Sequence, residues 1–161
     1  MLLQKCLVYD PDNDQAHYRL GVCHFQQGNL AEALASFEKS LAKNGSNARA
    51  HHYLGIISSR MSNRQRAESE FKQALAIDPE YGDAHFNLAV LYAYGRGVEA
   101  DFVRSYAWST NAANGYPKWA EDLRAAALTN RDIVGAKMSA PELIAAQKLA
   151  ESLQTAISNR R

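Results

Sequence analysis

A spacing of 34 residues recurs through residues 1–94 of this chain. Residues 16–21 read AHYRLG, residues 50–55 read AHHYLG and residues 84–89 read AHFNLA. An independent set of positions, occupied by Leu3, Phe37 and Phe71, keeps the same spacing. Because unrelated positions share one period, each such stretch is predicted to be one structural unit that stacks on its neighbours.

Each unit is predicted to be a pair of helices, since apolar residues recur at helical spacing and turn residues separate the two runs. Gly28-Asn29 and Ser62-Asn63 mark the tight turns inside the pairs. Asn29 with Glu32 has the pattern of an N-terminal cap with a reciprocal carboxylate. The predicted first helices are residues 14–27, 48–61 and 82–94, and the predicted second helices are residues 30–43 and 64–76.

Gly21 and Gly55 lie in the middle of predicted helices, where glycine costs about 0.5–1 kcal/mol relative to alanine. A cost that is repeated at the same position of two units has a structural reason. We expect the backbone of the paired helix to approach so closely at these positions that a side chain would not fit.

These units resemble tetratricopeptide repeats, whose period is also 34 residues. The second unit matches the family pattern with Leu54-Gly55, Ala67, Phe71, Ala74 and Pro79, and the first matches it with Leu20-Gly21, Ala33, Phe37 and Ser40. Histidine stands at the family's tryptophan position, and Gly45 replaces a proline. The resemblance covers residues 1–94 and implies an all-α fold, a right-handed superhelix (α-α solenoid) of stacked antiparallel helical hairpins.

The third hairpin departs from the period and resembles the longer Sel-like repeat. Its loop, Gly95-Arg96-Gly97-Val98 followed by Asp101, has the G-x-G-V-x-x-D signature of that family. Ser105 stands four residues later than the period predicts, at a position where the family usually has alanine, so the loop is four residues longer. Asp101 is predicted to cap the next helix. The match extends over residues 84–115.

Two further helices are predicted in the tail. Tyr116-Pro117 opens the first, which runs to about residue 129, with proline in the first turn. Ser139 and Glu142 have the spacing of a capping box and open the second, which runs to about residue 158. We interpret the second as the terminal cap that solenoids need for solubility. Bacterial Sel-like proteins often end in a stretch similar to residues 138–147.

The sequence therefore predicts six segments. They are residues 1–13, a half repeat with a second helix only; 14–47 and 48–81, two tetratricopeptide units; 82–115, a Sel-like repeat; 116–138, the helix and loop of the last hairpin; and 139–161, the C-terminal capping helix.

The first helix of the half repeat is missing, and Leu3, Cys6 and Leu7 form the packing face of the second. Since the ends of a solenoid need a polar outer face, we expect either a fragment of a longer repeat protein or a face that a second copy covers.

Composition excludes several classes of function. A net charge of +1 gives no global attraction to nucleic acid or to an anionic membrane. Two cysteines are too few for a disulfide framework. The apolar runs are much shorter than the ~20 residues that cross a bilayer, so no membrane insertion is expected. The default compartment is the cytoplasm, although a fragment carries no information about a signal or anchor elsewhere.

The repeated histidines, His17, His51 and His85, are the first candidates for metal binding. Equivalent residues on stacked helices lie roughly 8–10 Å apart, whereas a zinc site needs its nitrogens within ~2.1 Å of one ion. We predict that they form a packing ladder, and we expect no metal and no cofactor.

The other candidates for chemistry are also interpreted as structural. Cys23 and His24 are adjacent on a helix and face different directions, so they do not pair as nucleophile and base, and Cys23 is predicted to be buried. Residues 95–97 are too short for a phosphate loop. No pair of carboxylates is placed for acid–base work, so no enzyme is predicted. A solvated turn is favoured over an anion site for the arginines Arg60, Arg64 and Arg66.

The concave side, lined by the first helices, is the surface that solenoids use for binding. The family geometry places aromatic and apolar residues there with a few arginines and one acid, which suits a peptide or a helix. Chaperone-binding members need Lys and Asn where Tyr18 and Val22 stand, so that subclass is disfavoured. The predicted partner-binding groove consists of Tyr18, Val22, Phe25, Gln26, Arg49, His52, Ile56, Ser59, Arg60, Asp83, Phe86, Val90 and Tyr94.

Three functions remain open from the sequence. The first is a non-catalytic adaptor or scaffold that binds a peptide or helix of a partner protein in the groove. The second is a structural assembly module that self-associates as a homo-oligomer through the incomplete N-terminal repeat. The third is the interaction part of a larger enzyme or regulatory protein.

Overall fold

The computed structural model describes residues 11–94 and 100–159. These ranges contain eight α-helices and no strand. The helices are α1 (Asp14–Gln26), α2 (Leu30–Lys43), α3 (Ala48–Arg60), α4 (Arg64–Ile77), α5 (Gly82–Tyr94), α6 (Phe102–Gly115), α7 (Glu121–Gly135) and α8 (Ala140–Ser158). The predicted all-α fold class of helical hairpins is confirmed, and the bounds of α1 to α5 lie within one residue of the predicted ones.

The chain divides into two compact units, unit 1 (Met1–Ile77) and unit 2 (Asp78–Arg161). Two predictions lie outside the described residues. One is the helix of the half repeat with Leu3, Cys6 and Leu7 on its packing face, and the other is the loop of residues 95–98.

Unit 1 contains two antiparallel hairpins, α1 with α2 and α3 with α4, and α2 also packs against α3. Small residues line these contacts and let the helix axes approach. The buried cluster that joins the hairpins consists of Ala33, Phe37, Ala50, Leu54 and Ile57.

The mid-helix glycines make room for an aromatic ring. A Cβ atom at Gly21 would lie 2.8 Å from the ring of Phe37, and one at Gly55 would lie 2.5 Å from the ring of Phe71. Both rings are buried. The close approach predicted from the repeated glycines is therefore real, but the group that approaches is a phenyl ring of the paired helix and not its backbone.

Asparagine side chains begin three of the helices. The side-chain oxygens of Asn13, Asn47 and Asn63 each accept a hydrogen bond from the backbone N–H three residues further on. Such a bond satisfies one of the free donors of the first turn. The cap predicted at Asn29 is wrong, because its side chain makes no capping bond and its amide nitrogen donates to the Gln27 side chain at 3.4 Å.

The turns inside both hairpins of unit 1 use the left-handed backbone region. Gly28 has a φ of 81°, and Ser62, at the equivalent position, has a φ of 60°. Glycine enters this region without steric cost, whereas a residue with a Cβ atom loses roughly 1–2 kcal/mol there.

The repeated histidine binds the loop that precedes its own helix. Nε2 lies 2.9, 3.4 and 2.9 Å from a carbonyl oxygen six residues upstream, in the pairs His17 with Pro11, His51 with Gly45 and His85 with Pro79. A carbonyl oxygen only accepts, so Nε2 of His17 and of His85 carries the proton and donates. In His51 the shorter contact is that of Nδ1, which lies 2.8 Å from the Glu70 carboxylate. The histidines therefore fasten each first helix to the preceding loop.

Helix α6 is the centre of unit 2. It forms a hairpin with α5 and also packs against both α7 and α8, so the two tail helices share α6 as their main partner. A buried cluster between α6 and α7 consists of Ala112, Ala113, Tyr116, Ala120 and Ala127.

Two predicted caps of unit 2 are confirmed. Asp101 accepts a hydrogen bond from the backbone N–H of Arg104 at 2.8 Å and begins α6. The hydroxyl and backbone N–H of Ser139 donate to the Glu142 carboxylate at 2.6 and 2.8 Å, which begins α8. Both bonds lower the pKa of the Glu142 carboxyl, and the bond from the Ser139 hydroxyl has the larger effect.

Replacing Gly55 with alanine tests the contact with Phe71. The new methyl group would overpack a ring that is 1% exposed, so the free energy of unfolding is expected to fall by roughly 1–3 kcal/mol. Denaturant unfolding followed by circular dichroism measures this. Gly45→Ala is the matched control, since its Cβ atom would meet nothing closer than 3.8 Å. Equal effects of the two substitutions would contradict the proposed overpacking.

Replacing Ser62 with glycine tests the strain in the turn. The free energy of unfolding is expected to rise by about 1 kcal/mol, because glycine removes the left-handed strain. Gly28→Ala is expected to lower it by a similar amount, since no atom lies within 4 Å of that Cβ position and only the backbone is affected. If Ser62→Gly leaves the denaturation midpoint unchanged, the turn is not strained.

Candidate functional site

An aromatic cluster lies where α1, α2 and α3 of unit 1 meet. Tyr53 stacks on Phe37 with ring centroids 4.9 Å apart and planes 8° apart. Phe25 meets Tyr53 edge-on at 5.1 Å, and Tyr18 lies 5.9 Å from Phe37. Tyr18, Phe25 and Tyr53 are half-buried, so each ring packs on the core and keeps part of its surface accessible.

Tyr53 is the member of this cluster that sequence reasoning missed. It follows the predicted groove residue His52, and adjacent residues of a helix face about 100° apart. The equivalent positions of the neighbouring units hold Arg19 and Asn87, so the repeat pattern carried no signal for an aromatic residue there.

Two exposed arginines of α3 contact the cluster. The guanidinium of Arg60 lies 4.8 Å from the centre of the Phe25 ring, a cation–π geometry. Arg49 forms a hydrogen bond with the Tyr18 hydroxyl. Burial, and then the neighbouring Tyr53, raise the pKa of Tyr18, while Arg49 opposes that rise. The two arginines are eleven positions apart in the sequence, which corresponds to roughly 16 Å along the helix.

The other predicted groove residues of unit 1 differ in accessibility. Val22, Ile56 and Ser59 are half-buried, and Gln26 is exposed. His52 is 7% exposed, and its ring lies 5.9 Å from that of Phe71. Most of its surface is therefore used within the unit.

The predicted residues of unit 2 lie along α5. Asp83 accepts a hydrogen bond from the Tyr116 hydroxyl at 2.9 Å, and burial together with this carboxylate raises the pKa of Tyr116 far above its usual range. Phe86 packs against the buried cluster of α6 and α7. Val90 is half-buried, and Tyr94 is 72% exposed at the end of the helix.

Unit 2 also exposes apolar side chains that the sequence analysis did not single out. Trp119, in the turn before α7, is 84% exposed, and Leu123 of α7 is 47% exposed. Neither belongs to the repeat pattern of residues 1–94, so the comparison between units gave no reason to select them.

The candidates for metal chemistry do not converge. In the described ranges, no group of three His, Cys, Asp or Glu side chains is arranged to hold a metal ion. Each of the three repeated histidines lies against its own upstream carbonyl oxygen.

The prediction that Cys23 is buried is wrong. It is exposed on α1, between the half-buried Val22 and His24. Arg60 and Arg66, on either side of the turn at residue 62, have different partners. Arg60 lies over the Phe25 ring, whereas Arg66 forms ion pairs with Glu38 of α2 and Glu70 of α4.

Among the helices that the structure describes, none combines the length and the apolar character required to span a membrane.

Comparison with known protein families identifies the repeats. Two tetratricopeptide-repeat profiles match the chain, one over residues 15–47 and the other over residues 54–102. No curated protein matches the sequence.

Solved structures with the same fold include one that contains Sel-like repeats. A protective antigen of uropathogenic Escherichia coli that displays an SLR fold is 25% identical, with a TM-score of 0.70 over 90% of this chain. The chain spans only 30% of the length of that protein.

Two proteins that were solved with bound segments of other proteins also match in structure. PcrH, solved in complex with the chaperone-binding region of PopD, is 19% identical, with a TM-score of 0.71 over 80% of this chain and 95% of its own. The Yersinia enterocolitica type III secretion chaperone SycD, solved with a peptide of the translocator YopD, is 15% identical, with a TM-score of 0.68 over 76% of this chain and 92% of its own. These likenesses concern the fold.

The two profile matches together span half of the sequence, and each hairpin of unit 1 places a mid-helix glycine of one helix against a phenylalanine ring of the other. The chain belongs to the tetratricopeptide-repeat family and includes a Sel-like repeat.

Proposed function

We propose that this protein-interaction module is a non-catalytic adaptor that binds a peptide or helical segment of another protein on the inner faces of its first helices. In unit 1 the binding face is the aromatic cluster of Tyr18, Phe25 and Tyr53 with the arginines that touch it. In unit 2 it is the α5 face that ends at Tyr94. The cluster of half-buried rings is the observation that carries the proposal.

Half-buried aromatic residues have the properties of an anchoring surface for a peptide. Each ring is held by the core, so little side-chain entropy is lost when a partner covers the remainder. Aromatic and arginine side chains are also the types that contribute most to binding at protein interfaces.

The arginines give the partner a charge pattern. Arg49 and Arg60 contact aromatic groups, and in the described part of unit 1 neither forms a salt bridge with a carboxylate. An apolar segment with an acidic residue towards each end complements them. At about 3.3 Å per residue, an extended segment covers the roughly 16 Å between the arginines with about five residues.

The structural relatives support the proposal by analogy. PcrH and SycD have the same fold and were solved with segments of the proteins PopD and YopD. Binding of a segment by the inner helix faces is compatible with such complexes. The alternative function, self-association through the half repeat, involves residues outside the described ranges.

Peptide binding provides the test. Three sets of labelled peptides share one apolar centre and differ in the flanking residues, which are Asp and Glu in the first set, Gln in the second and Lys in the third. Fluorescence anisotropy measures the dissociation constant of each set. The acidic set is expected to bind most tightly. The double variant Arg49→Gln/Arg60→Gln should weaken that binding about 2- to 30-fold, since each exposed ion pair contributes ~0.2–1 kcal/mol. Added salt should reduce the difference in affinity for the acidic set between the wild type and the double variant.

Lys39→Gln is a control for the loss of positive charge outside the cluster, because it removes one such charge from the exposed surface of α2. It is expected to leave the affinity unchanged. If the wild-type chain binds none of the peptides, the adaptor proposal is wrong. If the double variant binds the acidic set as tightly as the wild type, partners do not use the face of α1 and α3.

A further inference from the structure

Asn44 and Gly45, which follow α2, form a pair that the equivalent positions of the other units lack, since residues 10–11 and 78–79 both read DP. In an Asn-Gly pair the backbone nitrogen of glycine can attack the side-chain carbonyl carbon of asparagine, because glycine has no side chain that blocks the approach. Proline has no backbone N–H, and aspartate has no side-chain amide that could leave. The replacement of the repeat's proline by Gly45 therefore creates a chemically reactive pair.

The structure leaves the backbone of this pair free to move. Asn44 and Gly45 are exposed, and in the described ranges neither the carbonyl of Asn44 nor the N–H of Gly45 forms a hydrogen bond. A Cβ atom at Gly45 would meet nothing closer than the carbonyl oxygen of Leu41, at 3.8 Å. The ψ of Asn44 is 90°, so the peptide unit must rotate before the nitrogen reaches Cγ. No hydrogen bond of that peptide unit has to break for this rotation.

A second Asn-Gly pair, Asn114 with Gly115, provides the comparison. Asn114 is also exposed, but Gly115 is the last residue of α6, so its N–H belongs to the hydrogen-bond pattern of the helix. A Cβ atom at Gly115 would lie only 2.6 Å from the carbonyl oxygen of Glu80. The backbone of this second pair is therefore held in place by the helix and by its neighbours.

The side chain of Asn44 links the two helices of the first hairpin. Its amide nitrogen donates to the Asp14 carboxylate at 2.8 Å, and its oxygen accepts from the backbone N–H of Ser46 at 3.1 Å. Asp14 is the first residue of α1, so the first of these bonds joins the beginning of α1 to the end of α2. Both bonds are exposed, so water replaces them at small cost when the side chain rotates.

We propose that Asn44 is a modification site, at which the folded protein loses the side-chain amide without an enzyme. The nitrogen of Gly45 forms a bond to Cγ of Asn44, the bond from Cγ to Nδ2 breaks, and the proton of the Gly45 N–H leaves with Nδ2 as ammonia. One water molecule then opens the cyclic imide. Opening at Cγ gives aspartate, and opening at the backbone carbonyl gives isoaspartate, so the reaction requires only water.

The product changes the contact between α1 and α2. A carboxylate replaces the donor that faces Asp14, so an attractive contact becomes a repulsion between like charges. The new charge also lies at the C-terminal end of α2, where the helix dipole disfavours an anion. Lys43, the preceding residue, already pairs with Asp12 at 2.7 Å. Deamidation is therefore expected to loosen the first hairpin, and this inference does not depend on the proposed partner binding.

Peptide mapping by mass spectrometry provides the first test. The whole chain is incubated in a mildly alkaline buffer, and the acid form is measured at both Asn-Gly pairs over time. In the folded protein, Asn44 should react at least about ten-fold faster than Asn114, because Asn114 reacts only when the end of α6 opens. In guanidinium chloride the two rates should become similar. If the folded protein reacts at Asn44 no faster than at Asn114, the proposed site is wrong.

Gly45→Ala is the matched control for the attacking nitrogen. Its methyl group hinders the approach to Cγ, and the space around Gly45 accommodates it without displacing a neighbour. The rate at Asn44 should fall several-fold, while the rate at Asn114 should not change. An unchanged rate at Asn44 in this variant would exclude attack by the backbone nitrogen and overturn the proposed reaction.

A double-mutant cycle tests the consequence for the hairpin. Asn44→Asp reproduces the aspartate product and should lower the midpoint of denaturant unfolding. The loss should be smaller in an Asp14→Asn background, where an amide again faces a carboxylate. If Asn44→Asp lowers the midpoint equally in both backgrounds, or not at all, the inferred repulsion from Asp14 is wrong.

Discussion

The contact between a mid-helix glycine and the phenylalanine of the paired helix is the constraint on which the rest of unit 1 depends. The missing side chain at Gly21 lets the ring of Phe37 reach the backbone of α1. Phe37 is in turn the ring on which Tyr53 stacks, and Tyr53 meets Phe25 edge-on. The accessible aromatic face is therefore supported from inside the hairpin, and a change at Gly21 would reach this face through two layers of rings.

The fold class could be predicted from the sequence because the residues that set hairpin geometry recur at one spacing. Helix starts were accurate where a side chain caps them, as with Asp101 and with the reciprocal bonds of Ser139 and Glu142. The start predicted at Tyr116-Pro117 is wrong, because that helix begins at Glu121 and ends at Gly135 instead of about residue 129. The glycines were recognised as points of close approach for the same reason. Only the approaching group differed, since a repeat pattern alone does not distinguish a ring from a backbone.

The candidate site was less predictable, because accessibility depends on how neighbouring helices rotate against one another. His52 was assigned to the groove by family geometry, but it is almost fully buried. Tyr53, which occupies the centre of the aromatic cluster, occurs once in the repeat and so could not be found by comparison between units. Cys23 is exposed and Trp119 projects from the turn before α7, and neither follows from periodicity. The accessibility of each of these side chains is set by how the helices pack against one another.

The shared role of α6 has a consequence for the order in which the chain folds. The hairpins of α1 to α4 close between neighbouring segments, and contacts of this local kind form early and fast. The bond from Asn111 to the Ala150 carbonyl joins residues 39 apart, so α8 docks on α6 late. During synthesis, unit 1 has left the ribosome and can fold while α8 is still being made. Until α8 arrives, the side of α6 that carries Asn111 is open to chaperones and proteases, and this interval makes unit 2 the vulnerable part of the nascent chain.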